Sequence, residues 1–327
     1  MQNHLTLTPQ QILVPRSTLT ARSSRDRRVG KLMTVLACVP ILLILAIVVV
    51  LVVRSWPILK VVPLWDLLTG LDWHPARGKF GFLPFIIGTF WVTVVAMLLA
   101  APPCLLTAIY LSEYARPATR TFMKPLIDLL AAIPSVVYGV WGVVVIVPWV
   151  GGFLSPFMER WLGFIPFFRS TNPTGYSLVA GGLVLAVMVA PFIIAVTYEI
   201  LHTVPDGLRE ASLAMGATRW QTVKYAVLPR TLPGILAGIM LGASRALGET
   251  MAVLMVVGNV PILPGSIFDP AYPLPALIAN NYGEMMSIPL YDAALLGAAL
   301  LLLIIVLAFN VLSTLVLRKM IRRASSI

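Results

Sequence analysis

Two ionisable residues, Arg245 and Glu249, lie in one strongly apolar stretch of this sequence, Leu232 to Val257. They are four residues apart, so a helix makes them neighbours on one surface. A charge at the centre of a bilayer costs about 2.5–3.5 kcal/mol on insertion scales, so such groups face protein or water. A guanidinium there can attract an anion, and a carboxylate beside it can position it or keep the anion from being trapped. Two readings follow: a mutually neutralising structural pair, or a site on an anion pathway. Arg before Glu is the less favourable order for helix pairing, so helix stability explains the pair poorly. The expectation carried forward is a translocation site of Arg245 and Glu249 with the adjoining Ser244 and Thr250. The same stretch repeats Gly234, Gly238, Gly242 and Ala246 at spacings of four, a small-residue stripe that lets a second helix approach closely.

Other chemistries find no support. The chain has no G-x-x-x-x-G-K-[ST] loop to cradle nucleotide phosphates. Gly242-Ala243-Ser244-Arg245-Ala246 resembles part of a serine nucleophile elbow, but it lacks the final glycine, a preceding strand and a partnered histidine. His4, His74 and His202 are far apart, so no metal site is expected. Cys38 and Cys104 fall in apolar runs, which argues against a disulfide framework. No catalytic residue and no cofactor is expected.

A second constellation lies in the segment Leu201 to Arg230. Pro205-Asp206 starts a helix with Asp206 as N-cap, and Gly216 is placed to end it as the C′ residue. Thr218-Arg219-Trp220-Gln221 fits a capping box for a second short helix, which Pro229 is expected to end. Leu208, Ala211, Met215, Trp220, Val223 and Tyr225 give the two helices an apolar face. That face suits a partner surface, or packing against the chain's own membrane helices.

These residues must be held by membrane helices. Of the 327 residues, 59% are apolar and 11% charged, with mean hydropathy +0.92, against about 25% charged in soluble domains. Six runs are long and apolar enough to cross a bilayer core, which takes about 20 residues: Met33 to Val53, Phe82 to Leu111 with Pro102-Pro103 interrupting it, Leu126 to Val147, Ser177 to Ile200, Leu232 to Val257, and Ala293 to Leu317. The first is too long for a signal peptide, and Arg54-Ser55-Trp56 is no cleavage site, so it is read as a retained anchor. The expected organisation is a cytoplasmic tail (1–31), a first transmembrane helix (32–54), a five-helix core (82–317) containing the loop 201–230, and a cytoplasmic C-terminal tail (318–327).

With the N-terminus inside, seventeen of the 24 lysines and arginines lie on the cytoplasmic side, and six, Arg54, Lys60, Arg77, Lys79, Arg160 and Arg169, lie outside. This bias places both termini in the cytoplasm. It also accounts for the net charge of +11 without a nucleic-acid partner. The basic tail is a topology signal, or also a contact for anionic membrane lipid. Long outer loops, Arg54 to Gly81, Pro148 to Tyr176 and Gly258 to Asp292, carry Trp56, Trp65, Trp73, Trp149, Trp161, Phe167 and Phe168. These are interfacial anchors, or a landing platform for an extracytoplasmic protein. The last loop contains Asp269, Glu284 and Asp292 and no lysine or arginine.

Glu210-Ala211-Ser212, Gly216 six residues after Glu210, and Leu228-Pro229 resemble the "EAA" loop of ABC importer permeases. The sequence departs from that pattern at Ser212 and Ala226, where the family usually has Ala and Ile. SRALGETMAV (Ser244 to Val253), LPFIIGTF and AIYLSEYA (within Pro84 to Ala115 and the residue before it), IPSVVYG (Ile133 to Gly139) and ALIANNYGE (Ala276 to Glu284) are similar to the phosphate importer permeases. Asp72-Trp73 with Phe80 to Pro84 resembles the PstC subunit rather than its PstA sister. The resemblance covers about Gly70 to Leu317. It implies an all-α type I ABC importer permease core in a bacterial plasma membrane, with a coupling loop of Glu210, Ala211, Gly216, Leu228 and Pro229 that enters a groove on an ATPase. It implies a second permease chain (PstA-like), two ATPase subunits (PstB-like) and an outer phosphate-binding protein (PstS-like). Composition and spacing alone reach a transport-type membrane protein with a docking loop. They leave open a permease for another oxyanion or small solute, or an ion-coupled carrier acting without an ATPase.

Overall fold

The structure is a computed structural model, and it describes residues 16–169, 172–284, 288 and 290–324. The chain divides into two units, Met1–Val53 and Arg54–Ile327. The first contributes most of α1 (Arg16–Val61). Its apolar side chains from Leu32 onward are exposed almost all round, as suits a helix solvated by lipid.

The second unit begins with the end of α1, followed by α2 (Leu64–Thr69) and a small antiparallel hairpin, β1 (Trp73–His74) and β2 (Lys79–Phe80). Beside the hairpin, Lys79 lies 2.9 Å from Asp72 and holds that carboxyl below its ordinary range. The second span is α3 (Leu83–Ile109), closed by a π turn, Tyr110–Tyr114. Pro102 and Pro103 do not interrupt it, contrary to expectation. The helix runs through them, and Thr107 donates its hydroxyl to the Pro103 carbonyl at 2.8 Å.

The expected third span, Leu126 to Val147, is displaced toward the C-terminus. A separate amphipathic helix, α4 (Pro117–Ala131), comes first. Pro134 then disfavours helical backbone at Ile133, and the true span, Ser135–Leu162, starts after it. That span is α5 (Ser135–Trp141), a π turn (Gly142–Ile146), α6 (Val147–Trp149), a second π turn (Val150–Leu154) and α7 (Ser155–Leu162). Each of these π turns ends two residues before a proline, Pro148 and Pro156. A proline lacks the N–H donor and crowds the carbonyl four residues back; widening the turn before it relieves that crowding and keeps the helix continuous. The outer loop expected from Pro148 is therefore shorter, because its first half is helix.

The fourth span is α8 (Leu178–His202), whose N-cap Ser177 accepts the Ala180 amide. Next come α9 (Asp206–Ala214), α10 (Arg219–Thr222), a π turn (Val223–Val227) and α11 (Leu228–Leu247). Pro229 does not end a helix, as the sequence suggested. It follows the same kind of π turn, so Arg219–Leu247 forms one fifth span. That span stops at Gly248, short of the expected Val257, and α12 (Met251–Val256) begins anew. Two further helices, α13 (Leu274–Asn281) and α14 (Tyr291–Ala324), complete the described chain, with α14 carrying the sixth span.

The core centres on α3 against α8. Val92, Ala96 and Ala100 pack with Leu185, Val189 and Ile193, and Val253 and Val256 of α12 join them. The glycine stripe of α11 faces α8: a Cβ on Gly234, Gly238 or Gly242 would come within 2.8, 2.9 and 2.8 Å of Ile200, Val196 and Ile193 respectively. Residues after α12 fold back over the start of α8, where Leu178 and Val179 donate to the carbonyls of Asp269 and Ile267. The Asp269 carboxylate accepts the amides of Gly265 and Ser266, both at 2.9 Å, and so ties this segment together. Trp73 is not an interfacial anchor, since it packs among Phe80, Phe82, Phe85 and Tyr291.

Candidate functional site

The segment after α8 folds as helix, sharp turn, helix. Asp206 is the first residue of α9 rather than its cap, because Pro205 occupies the cap position. The C-terminus closes with a Schellman motif: Gly216 donates to Leu213 at 3.0 Å and Ala217 donates to Ser212 at 3.3 Å. Gly216 sits at φ +84°, which glycine adopts without strain. Thr218 and Gln221 form the predicted capping box, each side chain accepting the other residue's amide. Ser212, one of the two departures from the EAA-loop pattern, places its Oγ 3.0 Å from Thr222 Oγ1 and so ties the two short helices together.

This arrangement leaves an apolar face in the open. Met215 is 88% exposed, and Leu213, Trp220 and Tyr225 are also exposed, while Val223 and Leu208 turn inward to a cluster with Ala108, Ile109, Leu201 and Val227. Glu210 and Ala211 lie on the exposed side, and Glu210 makes no ion pair among the described residues. Leu228 is half-buried and Pro229 exposed at the start of α11.

The sequence marks Arg209 only as a topology charge and singles out no role for Glu113, yet they form the least exposed ion pair among the described residues. Arg209 Nη2 lies 2.9 Å from Glu113 Oε1 and Nε 3.1 Å from Oε2. Hydrogen bonding to Glu113 pushes the Arg209 pKa above its ordinary value, overcoming the opposing effect of burial. Glu113 falls in the quoted AIYLSEYA segment; the signal for its partner is that Arg209 stands four residues after Pro205, in the first turns of α9, where its side chain can fold back on the end of α8.

The translocation candidates are not brought together as the sequence implied. Arg245 is exposed on α11, its guanidinium 5.8 Å from the ring centroid of Phe192. Glu249 lies beyond the helix end, and no ion pair joins it to Arg245 among the described residues. It accepts the Ala252 amide at 3.3 Å and so satisfies a free donor at the start of α12. The spacing of four brings no pair together because Gly248 breaks the helix between the two. Thr250 turns its hydroxyl to the Gly248 carbonyl at 3.4 Å. Ser244 accepts a hydrogen bond from Asn310 Nδ2 of α14 at 2.9 Å. Asn310 was missed; an asparagine directly after the uncharged run Leu300 to Phe309 was the available signal.

Residues 104–325 match the family model described as "Binding-protein-dependent transport system inner membrane component". The chain is 39% identical over 255 residues to a phosphate transport system permease protein PstC of Xylella fastidiosa, covering 77% of this chain and 78% of the relative. It is 36% identical to the probable ABC transporter permease protein YqgH of Bacillus subtilis, covering 89% and 92%. Among solved structures, a bacterial ABC transporter involved in the import of the acidic polysaccharide alginate aligns with TM-score 0.60 at 17% identity, over 91% of this chain and 99% of that one. The MetNI methionine ABC transporter, in an inward-facing conformation, aligns with TM-score 0.52 at 23% identity, over 71% and 93%. These two likenesses establish a shared fold.

Proposed function

Because the chain belongs to the family of binding-protein-dependent transport system inner membrane components, we propose that it is the transmembrane permease subunit of an ATP-driven phosphate importer. It supplies half of a translocation pathway and draws its energy from a separate ATPase. The observation that carries this reading is the loop from α9 to α10. Its Schellman turn and capping box build a two-helix surface whose apolar face, Leu213, Met215, Trp220 and Tyr225, is left exposed among the described residues. Such a face suits a groove on a partner, and the family's partners are the other ABC transporter subunits. The phosphate assignment rests on the PstC relatives, of which the chain covers about three quarters.

Its partners in this reading are a PstA-like permease, two PstB-like ATPases and a PstS-like binding protein. The docking loop faces the cytoplasm with both termini, a reading supported by the seventeen-to-six charge bias. The pathway is lined by Arg245, which leaves its guanidinium open on α11 where a second permease chain would close the channel; Ser244, Glu249 and Thr250 shape its surroundings. The glycine stripe keeps α11 close against α8, so that Arg245 is carried on a firmly seated helix. In liposomes holding the complete assembly, uptake of labelled phosphate is competed by unlabelled phosphate and not by equal sulfate. Uptake of labelled sulfate with no uptake of labelled phosphate would reassign the substrate to another oxyanion.

A further inference from the structure

Resting on that reading, we propose that Arg209 and Glu113 form a clamp that transmits movement of the docking helix α9 to the second membrane span, and that transport depends on it.

The chain itself joins the docking loop to only two spans. Three residues, Thr203 to Pro205, separate α8 from α9, and α10 is continuous with the fifth span. Any push on the docking surface therefore reaches the fourth and fifth spans along the backbone. The second span has no such link, since Glu113 is 96 residues from Arg209 in sequence. Among the described residues, the only hydrogen bonds from α9 to the second span are those between Arg209 and Glu113.

The guanidinium is used on every side. Nη2 also donates to the Leu201 carbonyl at 2.8 Å, and Nη1 donates to the Val204 carbonyl at 2.6 Å and to Asp206 at 3.2 Å. Arg209 thus gathers the end of α8, the start of α9 and the π turn that closes α3. The far side is braced as well. The Ser112 hydroxyl donates to Glu113 Oε1 at 3.1 Å and lies 3.3 Å from His202 Nδ1, while Arg120 of α4 donates to the Ser112 carbonyl. The two side chains are 17% and 8% exposed, so water competes little for these bonds. A planar fork held by two carboxylate oxygens resists both sliding and rotation, which a single lysine contact would not. By contrast, Lys124 and Glu199 join α4 to α8 nearby at 2.7 Å but are 57% and 61% exposed, a pairing of little mechanical weight.

Arg209 and Glu113 are positioning residues, and the test reads phosphate moved per ATP hydrolysed. Arg209→Lys, Glu113→Gln and the control Lys124→Ala are each reconstituted in the full complex. Wild-type complex must first show ATP-driven uptake; its absence would count against the proposed function itself and leave a separate signature from failure of the clamp. The clamp predicts that hydrolysis persists in Arg209→Lys and Glu113→Gln while phosphate per ATP falls about tenfold, the factor matching loss of one charge-assisted hydrogen bond. Lys124→Ala keeps the wild-type ratio. If uptake and hydrolysis fall in proportion, so that the ratio is unchanged, the pair serves only assembly and the proposal is overturned. Should Arg209→Lys fail to assemble, Glu113→Gln, which keeps the shape and one acceptor, decides by the same ratio.

Discussion

Replacing Arg245 by glutamine lowers phosphate uptake by about a hundredfold, the loss expected for two charge-assisted hydrogen bonds to an anion, while the subunit still inserts and assembles. The structure sharpens this expectation. Had Arg245 and Glu249 been a buried pair, removing one would strand the other at a cost of about 3–5 kcal/mol and confound transport with folding. They are not paired: Glu249 holds the Ala252 amide beyond the Gly248 break, and Arg245 is exposed beside Phe192. The double change Arg245→Gln with Glu249→Gln should therefore be as inactive as the single one, with assembly judged by copurification of the partners. Recovery of uptake in the double variant would restore the structural-pair reading and remove Arg245 from the pathway.

Gly216→Val should sever coupling without disturbing the membrane core. Nothing lies within 4 Å of a Cβ at this position, so steric collision is not the cause. The cause is backbone conformation. At φ +84° an L-residue pays about 1–2 kcal/mol, and a β-branched one is a conformational outlier. Relaxing that strain opens the Schellman turn and changes the angle between α9 and α10, and with it the apolar face that Met215 and Trp220 present. Uptake is expected to fall by about tenfold or more, with weaker retention of the ATPase. Gly216→Asn, which tolerates left-handed backbone, retains most of the activity. Equal activity of the valine and asparagine variants would show that the turn is not under conformational control.

Much of this was legible in the sequence because it is local. The Gly216 turn and the Thr218–Gln221 box depend on residues within six positions of one another, and the six spans depend on runs of apolar residues. Boundaries failed where backbone geometry adapts. Pro229 reads as a stop and Pro148 as the start of a loop, yet each follows a π turn that absorbs it, as Pro156 does. Pro134, by contrast, follows no such turn and does divide α4 from the third span. The expected pairing of Arg245 with Glu249 fails at Gly248, since pairing at four residues holds only along an unbroken helix. The Arg209–Glu113 clamp and the Ser244–Asn310 contact were invisible for another reason: their partners are brought together only by the packing of separate spans.

The most direct test of the account measures ATP-driven phosphate uptake into liposomes containing this chain with a PstA-like permease, a PstB-like ATPase and a PstS-like binding protein, alongside liposomes lacking this chain. Uptake that requires ATP on the docking-loop side, the binding protein on the opposite side, and this chain is the predicted result. Phosphate uptake by this chain alone, indifferent to ATP and to the ATPase, would contradict it and mark an ion-coupled carrier instead.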